Sequence, residues 1–272
     1  MSDANPSCVL AVALFERVFG KTAYAHLCVT NAMASDLRGS WGVRYLWTRL
    51  LADPQFSSLR VVLPDSRQDA ADTLLTSRQK GGTVALRKDR PMLVVSSTSW
   101  TADEDFSILL EALAIYDTAA AAHLPPVVAL VTGKGPLRGF FEAEVAKLSL
   151  SRVKIVTAWL SAEDYPLVLG SADLGVSLHT SSSGLDLPMK VVDMLGCGTP
   201  VCAFRFSCID ELVDGQNGLV FGNASELALQ IQDLAGQLGR LDGRYGQLLQ
   251  GAAQFRETDW DANYTRALEL FK

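Results

Sequence analysis

Short, continuous apolar runs separated by turn residues and helix-length stretches dominate the chain from residue 91 onward. The first is Met92-Leu93-Val94-Val95, followed by residues 127–131, 153–156, 174–178 and 201–204, with a last short run at 219–221. Strand, turn and helix repeat at least four times between residues 91 and 204. Runs that are uninterrupted, rather than alternating apolar with polar, predict strands of a parallel sheet covered on both faces. Helices are expected from residue 101 to about 116, from Pro136, within 161–169, near 189–195, over 225–238 and over 243–271. Thr101 and Glu104 have the T-x-x-E spacing of a capping box, and Pro136 suits a first helical turn. The fold class is α/β, with a doubly wound Rossmann-like domain over 91–272, whose ligands bind at the carboxyl ends of the strands.

Upstream the pattern is weaker. Residues 8–20 predict a short helix ending at Gly20, 26–30 a β-like run and 31–37 a helix. Residues 44–90 hold one apolar run, 59–63, and a polar stretch, 66–88, without clear periodicity. They predict a linker, partly disordered, between a first unit over 1–43 and the α/β domain.

Composition narrows the function classes. With 49% apolar residues in 272, a sizeable core is available. A net charge of −6 without any block of basic residues argues against a nucleic-acid partner. The cysteines, Cys8, Cys28, Cys197, Cys202 and Cys208, are odd in number and form no CxxC pair. Reduced thiols in a cytosol-facing protein are expected rather than a disulfide framework or a zinc site. No run reaches the about 18–20 apolar residues that a membrane-spanning helix needs. Arg17 follows the apolar stretch 8–15 instead of preceding it, the wrong order for a secretory signal.

In a doubly wound sheet, the loops after the strands carry the chemistry. Four converge: the hydroxyl-rich 96–101, Gly133-Lys134-Gly135-Pro136, Thr157-Ala158-Trp159-Leu160, and 179–190. A Ser/Gly loop running into a helix, as at Ser183 and Gly184, offers unpaired N–H groups and the positive end of the dipole to a phosphate. Lys134 and Lys190 can neutralise a diphosphate as point charges. Asp186, where the helix starts, and Asp193, one turn beyond Lys190, suit sugar hydroxyls. With Ser97, Thr98, Trp159 and His179 they fit a nucleoside diphosphate sugar better than a plain anion. Each residue also has a structural reading: the Ser-rich loop as a surface turn, Asp186 as a cap, His179 as a packed or capping histidine, Trp159 as a core wall. Asp103-Glu104-Asp105 has the D-x-D form of a metal–diphosphate site, but directly after Thr101 its acids read as favoured by the helix dipole. No metal is expected.

Leu93-Val94-Val95-Ser96-Ser97-Thr98-Ser99-Trp100-Thr101 with Asp103-Glu104-Asp105-Phe106 resembles the start of the donor domain in chitobiosyldiphosphodolichol beta-mannosyltransferases. So do residues 132–137, Trp159-Leu160-Ser161-Ala162-Glu163-Asp164-Tyr165-Pro166, Gly170-Ser171-Ala172-Asp173-Leu174-Gly175-Val176 and the long stretch 179–197. Asn31-Ala32-Met33 with Asp36-Leu37 resembles the end of that family's N-terminal domain. The resemblance runs over 8–43 and 91–272. It implies a GT-B fold, two Rossmann-like domains with the active site between them; here the donor domain is complete and 1–43 is a remnant of the first. It implies GDP-mannose as donor, dolichyl-diphosphate-chitobiose as acceptor, and an inverting β-1,4 transfer on the cytosolic face of the endoplasmic reticulum, beside other lipid-linked-oligosaccharide mannosyltransferases. Such enzymes begin with a membrane anchor and a full N-terminal domain, so the catalytic base is expected there. Related retaining enzymes carry a Glu-x7-Glu pair: Asp193 matches the second Glu, and Asp186 stands seven residues earlier, not eight. Cys208-Ile209-Asp210-Glu211-Leu212-Val213 resembles the segment beside the donor ribose or phosphate and makes Glu211 a candidate. The rivals are a non-catalytic nucleotide-sugar-binding or scaffold paralogue, and a GT-B enzyme with another nucleotide sugar.

Overall fold

The computed structural model describes residues 40–62, 73–78, 84–119, 124–180 and 186–256. A helix α1 (Ser40–Ala52) leads into a 3-10 helix (Pro54–Val62) and a two-stranded antiparallel pair, β1 (Thr76–Arg78) and β2 (Val84–Leu86). The α/β part follows: β3 (Met92–Ser97), α2 (Ser107–Ala119), β4 (Val127–Thr132), α3 (Arg138–Lys147), β5 (Val153–Ala158), α4 (Asp164–Ser171), β6 (Leu174–Ser177), α5 (Met189–Gly196) and β7 (Val201–Phe204). After a 3-10 turn (Ile209–Glu211) come β8 (Gly218–Phe221), α6 (Ala224–Gly236) and α7 (Arg244–Arg256).

β3 to β8 form one six-stranded parallel sheet in the order β5-β4-β3-β6-β7-β8. The chain works outward from β3 in one direction, then returns to place β6 on its other side, so the order reverses between β3 and β6. Alternation along the strands divides the core. Leu93, Val95, Val128, Leu130 and Val156 face a layer holding Val168, Val191, Leu195 and Ala252, from α4, α5 and α7. Met92, Val94, Val127, Ala129 and Val131 face the opposite layer, with Leu109 and Leu113 of α2 and Leu227 and Ile231 of α6. Both faces are covered, which explains the uninterrupted apolar runs.

The expectation of a linker over 44–90 is corrected across its described residues. Leu46, Trp47, Leu50, Phe56 and Leu59 are buried in the first layer. Trp47 Nε1 donates to Ser171 Oγ at 3.2 Å, and Arg49 pairs with Asp164. Apolar residues recur all round α1, so no amphipathic period marks it in the sequence. The capping box at Thr101 and Glu104 is also corrected. α2 starts at Ser107, whose N–H donates to Asp105 Oδ1 at 3.0 Å, and the Glu104 side chain turns inward. The elements expected at 8–20, 26–30 and 31–37, and the helix beyond residue 256, lie outside the described residues. Among the described residues no helix is long and apolar enough to cross a membrane.

Candidate functional site

The reversal between β3 and β6 opens a crevice at the carboxyl ends of the strands, the usual ligand position in such sheets. Backbone bonds knit its floor. Thr98 N–H donates to Thr132 O at 2.9 Å, Gly133 N–H to Ala158 O at 3.3 Å and Leu137 N–H to Trp100 O at 3.0 Å. The loops after β3 and β4 touch so closely that a Cβ on Gly133 or Gly135 would lie 1.7 Å from the carbonyl oxygen of Thr98 or Ser99. Trp100 takes a positive φ of 51° and packs its indole edge-on to Phe106, with centroids 4.9 Å apart.

Glu104 occupies the middle of this crevice and is 3% exposed. Its Oε2 accepts from Thr98 Oγ1 at 2.5 Å and from Ser99 N–H at 3.1 Å, and its Oε1 pairs with the Lys190 ammonium. Its backbone forms an isolated antiparallel bridge with His179, beyond β6. Burial pushes the Lys190 pKa down to about 8, and the nearby Asp103 charge opposes that shift.

The other expected residues divide into groups. His179 Nε2 lies 3.0 Å from Asp186 Oδ2, with its ring edge-on to Phe206, so the two are neighbours at the start of α5. Ser97 Oγ is 3.0 Å from the Tyr165 hydroxyl, which donates to Asp193 Oδ2 at 3.3 Å. Asp193 thus faces α4 and the end of β3, and burial raises its pKa against the opposing Tyr165 hydrogen bond. Lys134 Nζ sits 4.1 Å from the Trp159 ring centroid. Trp159 is 46% exposed, which corrects its core-wall alternative, and its backbone N–H donates to Gln55 Oε1 at 2.9 Å. Glu211 is exposed on the 3-10 turn after β7. Ser183 and Gly184 lie outside the described residues.

Three contributors escaped the sequence reading. Glu104 looked like a capping acid, although the apolar residues there begin only at Phe106, just before α2, and would have placed the cap later. Tyr165 had no charge or spacing to mark it, and Gln55 lay in the apparent linker. Among the described residues no group of three His, Cys, Asp or Glu side chains could hold a metal ion. A surface depression of about 640 Å³ lies near Arg87, Lys88, Pro125 and Gly239, at the amino ends of β3 and β4 and away from this crevice.

What the crevice offers is a hydroxyl-lined floor, a half-buried cation, a second cation over an indole, and several carboxylates. A family model for glycosyl transferases group 1 matches residues 90–237. The chain is 41% identical over 287 residues to the human chitobiosyldiphosphodolichol beta-mannosyltransferase, covering 97% of this chain and 62% of that protein. It is 42% identical over 303 residues to the Arabidopsis thaliana UDP-glycosyltransferase TURAN, covering 93% of this chain and 64% of that protein. The chain therefore spans about three-fifths of the length of these curated relatives. Among solved structures, a point mutant of S. aureus TarM, crystallised with UDP, aligns at a TM-score of 0.53 and 15% identity, over 67% of this chain and 36% of that one. Anabaena HepE in complex with UDP aligns at 0.50 and 24% identity, over 66% and 48%. At these identities the structures support the fold alone. With the family match running over more than half of its length, the chain belongs to the group 1 glycosyl transferases.

Proposed function

We propose that the chain takes part in transferring mannose from GDP-mannose to dolichyl-diphosphate-chitobiose, as the donor-binding side of an inverting β-1,4 mannosyltransferase at the cytosolic face of the endoplasmic reticulum. The observation that carries the reading is Lys190, a half-buried ammonium on the first turn of α5, held beside the hydroxyl loop after β3. It supplies positive charge where the helix N-terminus already favours a diphosphate. Asp193 and Asp186 supply acceptors for sugar hydroxyls. An inverting transfer also needs a base on the opposite face of the sugar to take the acceptor proton. The proposal assigns that base to an acceptor-side domain. The test is transfer of labelled mannose from GDP-mannose to lipid-linked chitobiose. Product formation is the expected result where the chain works together with that acceptor-side domain. Intact GDP-mannose binding without transfer under any condition would favour a non-catalytic binding subunit.

The Arabidopsis relative named as a UDP-glycosyltransferase makes a second nucleotide worth weighing. Competitive titration should place GDP about tenfold or more ahead of UDP, a gap of about 1.4 kcal/mol; tighter UDP would move the assignment to another nucleotide sugar.

Lys190→Met should weaken GDP binding by about 1.5–3 kcal/mol, the scale of a hydrogen bond to a charged group. In the unsubstituted protein the same binding should decline as pH rises through about 8, because the ammonium is charged below that value and neutral above it. Flat calorimetric affinity from pH 6 to 9 would contradict the role given to Lys190. Divalent metal should be dispensable for donor binding, since two lysines and a helix N-terminus provide the charge. A tenfold loss of GDP affinity on adding EDTA would overturn that expectation.

A further inference from the structure

We propose that Glu104 is a positioning residue of the donor site, acting through Lys190. It fixes the ammonium beside the loop after β3 and keeps it charged. The proposal rests on the donor reading of Lys190 given above.

A capping carboxylate normally sits at the surface, where solvent shares its charge. Glu104 is 3% exposed, and burying a carboxylate is unfavourable unless partners compensate it. Thr98 Oγ1, Ser99 N–H and the Lys190 ammonium are those partners. Two belong to the loop after β3 and one to α5, so a single carboxylate joins the two sides of the crevice. The backbone bridge between Glu104 and His179 runs the same way. Lys190 in turn has a side chain only 17% exposed, and a buried ammonium without an anion tends to lose its proton.

The other charged groups around the first turn of α5 are engaged elsewhere or lie farther out. Asp103 is exposed and acts on Lys190 only through its charge. Asp186 faces His179, and Asp193 faces Tyr165. Among the described residues, Glu104 is the carboxylate in contact with the ammonium.

Glu104→Gln keeps the shape and an acceptor for Thr98 and Ser99 but removes the charge facing Lys190. The experiment compares it with the unsubstituted chain by two readouts, after thermal melting has shown that both are folded. The first is the pH profile of Lys190 acylation by an amine-reactive reagent, read by peptide mass spectrometry without nucleotide. Its midpoint should fall by about one pH unit or more in E104Q, the direction that lost charge compensation gives. The second is GDP affinity. At pH 6 it should stay within about threefold of the parent, and at pH 8.5 it should be about tenfold weaker, as one pH unit implies. In a Lys190→Met background, Glu104→Gln should then change GDP affinity less than about twofold, because residues that act through one another are not additive. Glu104→Asp, which keeps the charge but shortens its reach, serves if E104Q does not fold, and its acylation midpoint should also fall. An unchanged midpoint in either folded variant overturns the proposal, even if GDP binds normally. A shifted midpoint in a chain that binds no GDP would instead overturn the donor reading.

Discussion

Asp173→Ala is expected to destabilise the chain by about 3–5 kcal/mol, the usual cost of removing one partner from a buried ion pair. Asp173 immediately precedes β6 and is 6% exposed. Its two oxygens accept from the Arg90 guanidinium at 2.6 and 2.7 Å, a bidentate arrangement. Oδ2 also accepts from Leu93 N–H at 2.8 Å, and Oδ1 from the Tyr245 hydroxyl at 3.3 Å. Burial works against the Arg90 charge, and the charge and hydrogen bonds of Asp173 more than offset it, so its pKa ends above the ordinary value. Alanine would leave a buried cation, a buried N–H and a buried hydroxyl without this acceptor. The knot joins the starts of β3 and β6 to α7, at the end of the sheet away from the crevice. Urea unfolding should therefore show a lower midpoint with an unchanged slope. A loss below about 1 kcal/mol would mean that the pair is far more solvated than its geometry indicates.

Gly133→Ala should be almost as damaging, and it acts at the site itself. Gly133 has φ of 152°, a conformation that side-chain-bearing residues avoid. The added Cβ would lie 1.7 Å from the Thr98 carbonyl oxygen and 2.9 Å from its carbon. Both are backbone atoms, so no side chain can swing aside, and the loop after β3 has to move. A cost of about 3 kcal/mol or more is expected from strain and clash together. Because Thr98 and Ser99 hold Glu104, GDP affinity should fall with stability. Gly139→Ala, on α3, is the control: nothing lies within 4 Å of its Cβ, and it should be stabilising by about 0.5–1 kcal/mol. Equal melting temperatures for Gly133→Ala and the parent would refute the close approach of the two loops.

The site was legible in the sequence only where a residue type carried its own signal. Lys190 and Thr98 were expected near one ligand, and the structure joins both to Glu104. His179 and Asp186 were separate candidates with separate structural readings, and they face each other. Asp193 was expected to hold donor hydroxyls, and its Oδ2 also accepts from Tyr165, a partner that no local pattern announced. Glu104 itself was misread, because an acid three residues after a threonine is a common local pattern and nothing local distinguishes it from a buried one. In α1, Trp47 and Leu50 gave no usable periodicity, since their burial depends on α4, more than a hundred residues later.

By itself, the sequence determined the parallel sheet, its strand runs, the loops that end at the crevice and the family of the chain. The first three follow from burial on both faces and from turn chemistry, which act within a few residues; the family follows from the motifs that resemble it. Tertiary structure alone decided that Leu46, Trp47, Leu50, Phe56 and Leu59 belong to the core, that Asp173 anchors the far end, and that one buried carboxylate organises the crevice. These rest on contacts between groups 80 or more residues apart, such as Glu104 with Lys190 and Arg90 with Asp173. The balance between desolvation and pairing that sets their roles exists only once the chain has brought them together.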